Sequence, residues 1–348
     1  MAVIGDQSVG LLSDLKDRLN LEKGTRNSGI HKEEGVSRLF YATDVHGSTV
    51  CWRKFVNSAE FYDADVLVLG GDTTGKAIMP IVDEGDQYTY TRGGEEHVIE
   101  DDEELEDQKE VFANRGYYWY VFDEAEYEEL KRADDSQERQ DEIFIEQMQR
   151  RIREWTDFAE DRLDDVPVFV CPGNDDPFEI DAVWQESDAI SFGEGKVFEI
   201  DEQYSMVSSG WTNPTPWDTD REEPEEDLRE RLREVIAEVE DPSSCVFNFH
   251  APPYDSGLDE APELDEDLRP KFGGQTTEPV GSKAVREMIE TNQPPLSLHG
   301  HIHESRGKTQ IGDTWAVNPG SVYSEGSLQG AVIDLRPDEV EVVGLVRG

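Results

Sequence analysis

The sequence predicts an α/β protein, and three observations carry that reading. Short apolar runs such as Asp65-Val-Leu-Val-Leu, Val166-Pro-Val-Phe-Val and Cys245-Val-Phe-Asn-Phe recur along the chain, each stopping at Gly, Pro or His. From Arg38 to Asp72 such runs alternate with a helical segment, as α/β folds require. Five of the seven histidines stand at the ends of strand-like runs or in one short cluster, where α/β folds gather ligand-binding side chains.

Taken in order, Leu11, Leu12, Leu15 and Leu19 space a helix within residues 6–22, and a polar loop through Gly24, Asn27 and Gly35 follows. Residues 1–36 are therefore expected to form an N-terminal helix and linker, and residues 37–348 one body. Its first strand is Arg38-Leu-Phe-Tyr-Ala-Thr, ending at Asp44. Between Asp72 and Asn174 lie 101 residues, whereas a strand, helix and strand need only about 30. An insert is expected at about 85–163: a hairpin around Gly93-Gly94, then two or three amphipathic helices from Asp101 to Leu163. The aromatic cluster Tyr117-Tyr-Trp-Tyr-Val-Phe inside it is expected to pack the insert onto the body rather than to stack a base. Further strands are expected near 197–209, 244–249, 309–317, 329–335 and 339–346.

Composition narrows the class. The chain has 348 residues with 80 Asp plus Glu against 32 Lys plus Arg, a formal charge of −48. No apolar run approaches the roughly 18 residues of a membrane span, and the first twenty residues lack the pattern of a signal peptide. Cys51, Cys171 and Cys245 form no CxxC pair and lie in or beside apolar segments, as buried thiols of a reducing, cytoplasmic compartment would. The acids are spread along the chain and lysines are few, 11 against 21 arginines, a balance that resembles cytosolic proteins of salt-accumulating halophiles. At ~1 M salt the screening length falls to ~3 Å, which would relieve the mutual repulsion of surface carboxylates.

The chemistry-bearing residues come in five short segments: Asp44-Val-His46, Gly71-Asp72, Gly173-Asn174-Asp175-Asp176, His250-Ala-Pro-Pro and Gly300-His301-Ile-His303. Singly, each suits a turn or cap. Together they supply what two adjacent divalent ions need: neutral imidazoles, carboxylate and amide oxygens, and one carboxylate able to touch both. Strand alternation is expected to point Asp44 and His46 the same way, and His301 and His303 likewise. Gly71, Gly173 and Gly300 are expected to give tight turns that a Cβ would hinder.

These segments, in this order, resemble the DxH, GD, GNH(D/E), H and GHxH pattern of the calcineurin-like metallophosphoesterase superfamily, over roughly residues 37–335. Gly70-Gly-Asp-Thr-Thr-Gly, Asn213-Pro-Thr-Pro, Leu298-His-Gly-His-Ile-His-Glu and Asn318-Pro-Gly-Ser look most similar to the prokaryotic phosphoesterases related to Icc. The resemblance implies a four-layer sandwich of two mixed β-sheets flanked by helices, here with a mainly helical insert. It implies one metal held by Asp44, His46, Asp72 and His303, and a second held by Asp72, Asn174, His250 and His301, with Asp72 bridging. The implied reaction is hydrolysis of a small phosphate ester by a metal-bridging hydroxide attacking phosphorus in line, with Asp72, Asn174 and His250 acting through metal and phosphate. The ligand set suits manganese, iron, zinc or nickel.

At position 175 the family's histidine is replaced by Asp175, to which the histidine's role does not transfer, because a carboxylate repels a phosphate dianion. A diester or a good leaving group is therefore the expected substrate type. Two readings from other classes stay open: a metal-binding scaffold with little catalysis, and a nuclease, which the lack of a Lys/Arg stripe disfavours. His31 and His97 are expected at the surface. Gly70 to Lys76 matches G-x4-G-K, but Ala77 stands where a P-loop needs Ser or Thr, so that reading fails.

Overall fold

The first strand already commits the chain to two layers. β1 (Ser37–Ala42) turns Leu39 and Tyr41 into one apolar core and Phe40 and Ala42 into another, on opposite faces of the same sheet. The computed structural model describes residues 32–348 apart from 34, 133–135, 164 and 338. The helix expected within 6–22, and His31, lie outside the described residues. Ser48 begins α1 (Thr49–Tyr62), its hydroxyl accepting from the Cys51 amide, and Asp63 ends the helix in a left-handed turn. β2 (Val66–Leu69) then pairs parallel to β1.

The next segment carries both sheet and helix. β3 (Ala77–Asp83), β4 (Tyr88–Arg92), β5 (Glu95–Ile99), α2 (Asp102–Asn114), β6 (Tyr117–Asp123), α3 (Glu124–Arg132) and α4 (Ser136–Arg162) follow in turn. The strands form a separate four-stranded sheet of order β5-β4-β3-β6. Gly93 and Gly94, both at positive φ, close the expected β4–β5 hairpin, where Arg92 faces Glu95. The helical expectation for 101–163 missed β6, the aromatic run itself. That strand fixes the segment to the body: Tyr118 enters the main core, while Tyr117 and Trp119 pack on the four-stranded sheet's own cluster of Met79, Ile81, Ile99, Leu105 and Phe112. From α4, Met148, Ile152, Trp155 and Ala159 join the main core, where Trp155 stacks on Trp52 with centroids 5.0 Å apart.

The rest of the chain completes the body. β7 (Val168–Val170), α5 (Asp181–Trp184) and β8 (Ile190–Phe192) extend the first sheet, whose order is β18-β17-β1-β2-β7-β8 once β17 (Gln329–Leu335) and β18 (Val340–Arg347) are added. The second sheet, β15-β16-β14-β11-β10-β9, is built from β9 (Val197–Glu199), β10 (Ser205–Ser209), β11 (Cys245–Phe249), β14 (Leu296–Leu298), β15 (Gly307–Ile311) and β16 (Thr314–Asn318). Two outer helices, α6 (Glu225–Ala237) and α7 (Lys283–Asn292), and a small ribbon of β12 (Glu260–Pro262) with β13 (Thr277–Pro279) fill the remainder.

Four layers result. Leu39, Tyr41, Val66 and Val68 of the first sheet meet Met206, Val246, Leu296 and Val317 of the second. Trp52, Phe55, Ile152 and Trp155 cover the first sheet's outer face, and Leu228, Leu232, Val285 and Ile289 cover the second's. Both sheets mix parallel and antiparallel pairs: β1, β2 and β7 run parallel, as do β10, β11, β14 and β16. No helix among the described residues is long and apolar enough to cross a membrane.

Candidate metal centre

The five segments singled out in the sequence all leave the carboxyl ends of parallel strands, three from the first sheet and two from the second. Loops after β1, β2 and β7 carry Asp44 and His46, Asp72, and Asn174 and Asp175; those after β11 and β14 carry His250, and His301 and His303. The donor atoms of Asp44, His46, Asp72 and His303 lie within 4.8 Å of one another, and so do those of Asp72, His250 and His301. Asp72 belongs to both sets. The Asn174 Oδ1 lies 2.8 Å from the His301 Nδ1.

Strand alternation is not what aims these side chains. Asp44, His46, Asp72 and His301 have φ of 53°, 39°, 48° and 67°, the left-handed region that non-glycine residues seldom occupy. The loop backbones hold that conformation by pairing with each other: the Asp44 amide donates to Gly71 O (2.9 Å), His46 to Asp72 O (3.0 Å) and Gly47 to Thr73 O (2.8 Å). Of the three glycines expected to make tight turns, only Gly71 needs its freedom, at φ 126°. Gly173 and Gly300 serve close approach instead, since a Cβ would strike the Asp72 carboxylate at one and Thr43 and the Asp44 carboxylate at the other.

Asp176 holds the floor of the site together. Its buried carboxylate accepts from the amides of Gly173 (2.9 Å), Thr73 (2.9 Å) and Thr74 (2.8 Å) and from both threonine hydroxyls. One side chain thus fixes the Asp72 loop to the Asn174 loop.

The imidazoles are oriented by backbone carbonyls. His46 Nδ1 bonds to Thr74 O (3.1 Å) and His250 Nδ1 to Gly70 O (3.0 Å), which leaves each Nε2 directed at the carboxylates. The Nε2 of His46 lies 3.5 Å from Asp72 and that of His250 3.4 Å from Asp72, while His303 Nε2 lies 3.2 Å from Asp44. Burial pushes His46 down to about 3 and His301 to about 4, which keeps both neutral. Burial opposes charge on His250 too, but the Asp72 and Asp44 carboxylates overcome it and hold that ring up to about 9. Asp72 sits well below the usual carboxylate range: burial works against its charge, and His250 and His46 outweigh burial. The cluster therefore demands positive charge at its centre.

That demand is the test of fit for a cation. His250 Nε2 is fully buried and has no hydrogen-bond partner among the described residues, although it faces two carboxylates. Imidazole nitrogens, paired carboxylates and one amide oxygen match the donor set of divalent transition metals. Asp44, His46, Asp72 and His303 could hold one ion, and Asp72, His250 and His301 with Asn174 another.

Other residues fall differently. Asp175 stands beside the cluster, its amide donating to the Asp72 carboxylate (3.0 Å) and its own carboxylate paired with the Lys76 ammonium. Burial and the charge of Asp72 push Asp175 up to about 6, against the pull of Lys76. Lys76 is the cation that sequence reasoning passed over as part of a failed P-loop match. Its place one turn of loop beyond Asp72 was the available signal. His97 stacks on Tyr90 in the four-stranded sheet, away from the cluster. His299 is structural: its Nδ1 bonds to Phe249 O (2.8 Å) and Ala251 O (3.0 Å) and ties β14 to β11. Cys51, Cys171 and Cys245 are buried free thiols.

A two-sheet sandwich with an imidazole–carboxylate cluster where strands of both sheets end is an architecture that could hold divalent metal ions. The chain belongs to the calcineurin-like phosphoesterase family, whose model matches residues 37–305. It is 32% identical over 158 residues to the uncharacterized protein MJ1162 of Methanocaldococcus jannaschii, a match covering 45% of this chain and 65% of that protein's length. Its fold is similar to that of one crystal structure with a TM-score of 0.52 at 18% identity, covering 88% of this chain and 98% of the other. TT1561 of Thermus thermophilus aligns with a TM-score of 0.47 at 16% identity, covering 90% and 98% of the two chains.

Proposed function

We propose that the protein is a two-metal phosphoesterase that prefers small phosphodiesters. The observation that carries this reading is the sharing of the Asp72 carboxylate by two donor sets that face one cleft. One ion would be held by Asp44, His46, Asp72 and His303, and the second by Asp72, Asn174, His250 and His301. Manganese, iron, zinc and nickel all suit these donors. When bound, such ions supply Lewis-acid stabilisation of the phosphoryl group and an activated water.

The residues of the chain do the orienting. The Thr74 and Gly70 carbonyls fix the tautomers of His46 and His250 so that their Nε2 atoms face inward. Asp176 and the paired loop backbones hold the donors in place. The preference for a diester follows from charge. Asp175, Glu278 and Glu304 line the cleft, and Lys76 is the only Lys or Arg among the described residues lining it. A monoester dianion meets more repulsion there than a diester monoanion. The same scarcity of cations argues against a nucleic-acid backbone. Buried free thiols fit a reducing compartment such as the cytoplasm.

Purified protein supplied with manganese should hydrolyse a chromogenic phosphodiester, and Asp72→Asn should lower turnover by about three orders of magnitude or more while weakening metal binding. Full activity in that variant would remove the assignment. Tight manganese binding without turnover on mono- and diesters would instead favour the scaffold reading, for which Asp175 in place of a histidine is the supporting observation.

A further inference from the structure

A cleft of about 660 Å³ opens directly from the metal cluster, and part of its lining has a different chemistry. Asp72, Asn174, His301 and His303 line it. The segments after β10, β12 and β13 add Pro216 and Trp217, Leu264 and Leu268, and Val280 to the lining of the same cleft. Trp217 is 65% exposed and Leu268 46%, on a chain whose net charge is −48. Large apolar side chains left in water beside a polar cluster mark a surface that binds something.

This part of the lining is fixed in place relative to the cluster. The Asn174 amide donates to the Thr219 hydroxyl (2.8 Å), which in turn donates to Glu222 (2.5 Å). The same Glu222 carboxylate accepts from the amide (2.7 Å) and hydroxyl (2.6 Å) of Thr215, and that hydroxyl accepts from the Trp217 amide (3.1 Å). A short chain of hydrogen bonds thus runs from a candidate metal ligand to the backbone of the exposed tryptophan. Asn213 ties the Trp217 loop to the end of β13 by donating to Val280 O (3.1 Å). A subsite built this way loses little entropy on binding.

On the reading of this site as a phosphoesterase, we infer that its substrate is the phosphate ester of an uncharged, aromatic or otherwise apolar alcohol, whose organic group lies against Trp217 and Leu268 while the phosphoryl group faces the metal cluster. An indole face takes a flat ring, and the flanking leucine and prolines take its edges. Glu278 and Glu304 also line the cleft, so a second phosphate or carboxylate on the alcohol would be repelled.

Calorimetric titration of the manganese-loaded protein with dimethyl phosphate, glyceryl methyl phosphate and phenyl methyl phosphate, all monoanionic diesters, tests this. Phenyl methyl phosphate should bind about tenfold more tightly than glyceryl methyl phosphate. Trp217→Ala should collapse that ratio to near one, and Trp217→Phe, which keeps a ring, should restore most of it. A folded Trp217→Ala that kept the tenfold ratio, or wild-type protein that bound the phenyl and glyceryl diesters equally, would overturn the subsite while leaving the phosphoesterase reading intact. Failure to bind any of the three ligands, together with no turnover of any ester, would remove both.

Discussion

Acidic side chains meet opposite physics in two regions of this molecule. At the strand ends, Asp44, Asp72 and Asp176 are almost wholly buried, and each is held by amides, hydroxyls or imidazoles that answer its charge. In the segment from Ala77 to Arg162, residues such as Asp102, Glu103 and Glu110 stand in water on helix surfaces. Burial makes the first group specific and costly to disturb, because an unpaired buried charge loses its whole hydration. Exposure makes the second group individually cheap and collectively sensitive to salt. The same residue type is buried and paired in one place and solvated in the other.

The two regions meet at Arg151, where the largest effect of breaking their contact is expected. Its guanidinium is buried on α4 and donates to Gly47 O (2.6 Å), in the His46 loop, and to Tyr117 O (3.1 Å), while lying over the rings of Tyr118 and Trp119. Burial pulls its pKa down to about 10, yet it stays charged at neutral pH. Arg151→Ala would leave two carbonyls without their donor and open a cavity under the loop, for a loss of about 2–4 kcal/mol. Urea unfolding would measure that loss, and manganese titration should show weaker binding because His46 is one residue from Gly47. Unchanged metal affinity in the folded variant would mean that the segment from Ala77 to Arg162 does not support the site.

The legible part of the site was its inventory. Asp44, His46, Asp72, Asn174, His250, His301 and His303 could be picked out because each follows an apolar run, and strand ends converge in α/β folds. What brings the donors together was hidden, because left-handed backbone at Asp44, His46, Asp72 and His301 is imposed by loop-to-loop hydrogen bonds that no local pattern encodes. β6 was missed because seven aromatic-rich residues between charged helices carry little period-2 signal of their own, and the strand exists only through pairing with β3. Trp217 and Leu268 were invisible for the same reason. They sit in irregular loops, and only the fold places them in one cleft with His301 and His303.

A smaller effect is expected at Lys76, which pairs with Asp175 beside the buried cluster. Its ammonium is half exposed and lines the cleft. Lys76→Met would leave Asp175 beside Asp72 without its counter-charge, and would remove a positive donor from the path of an anionic substrate. Turnover of a diester should fall by about 10- to 100-fold with little change in unfolding free energy. Lys76→Arg should recover part of it, since the charge returns with altered reach. Equal loss of stability and turnover in Lys76→Met would instead make the pair a structural brace.

The exposed acids give the smallest effect per residue and the clearest sign. Glu110 stands one turn beyond Glu106 on α2, a like-charged i,i+4 pair, whereas Glu103 lies in the first turn, where the helix dipole favours an anion. In dilute buffer Glu110→Gln should therefore stabilise the protein, and Glu103→Gln should destabilise it, each by about 0.3–0.5 kcal/mol. In ~1 M KCl both differences should shrink toward zero, because the screening length drops to ~3 Å. The whole chain, with 80 acidic residues against 32 Lys plus Arg, sums many such repulsions, so its melting temperature should rise from dilute buffer to molar KCl. A flat melting temperature across that range, with the Glu110 effect unchanged, would mean that the surface charge is balanced locally by its ion pairs and that the composition is no adaptation to salt.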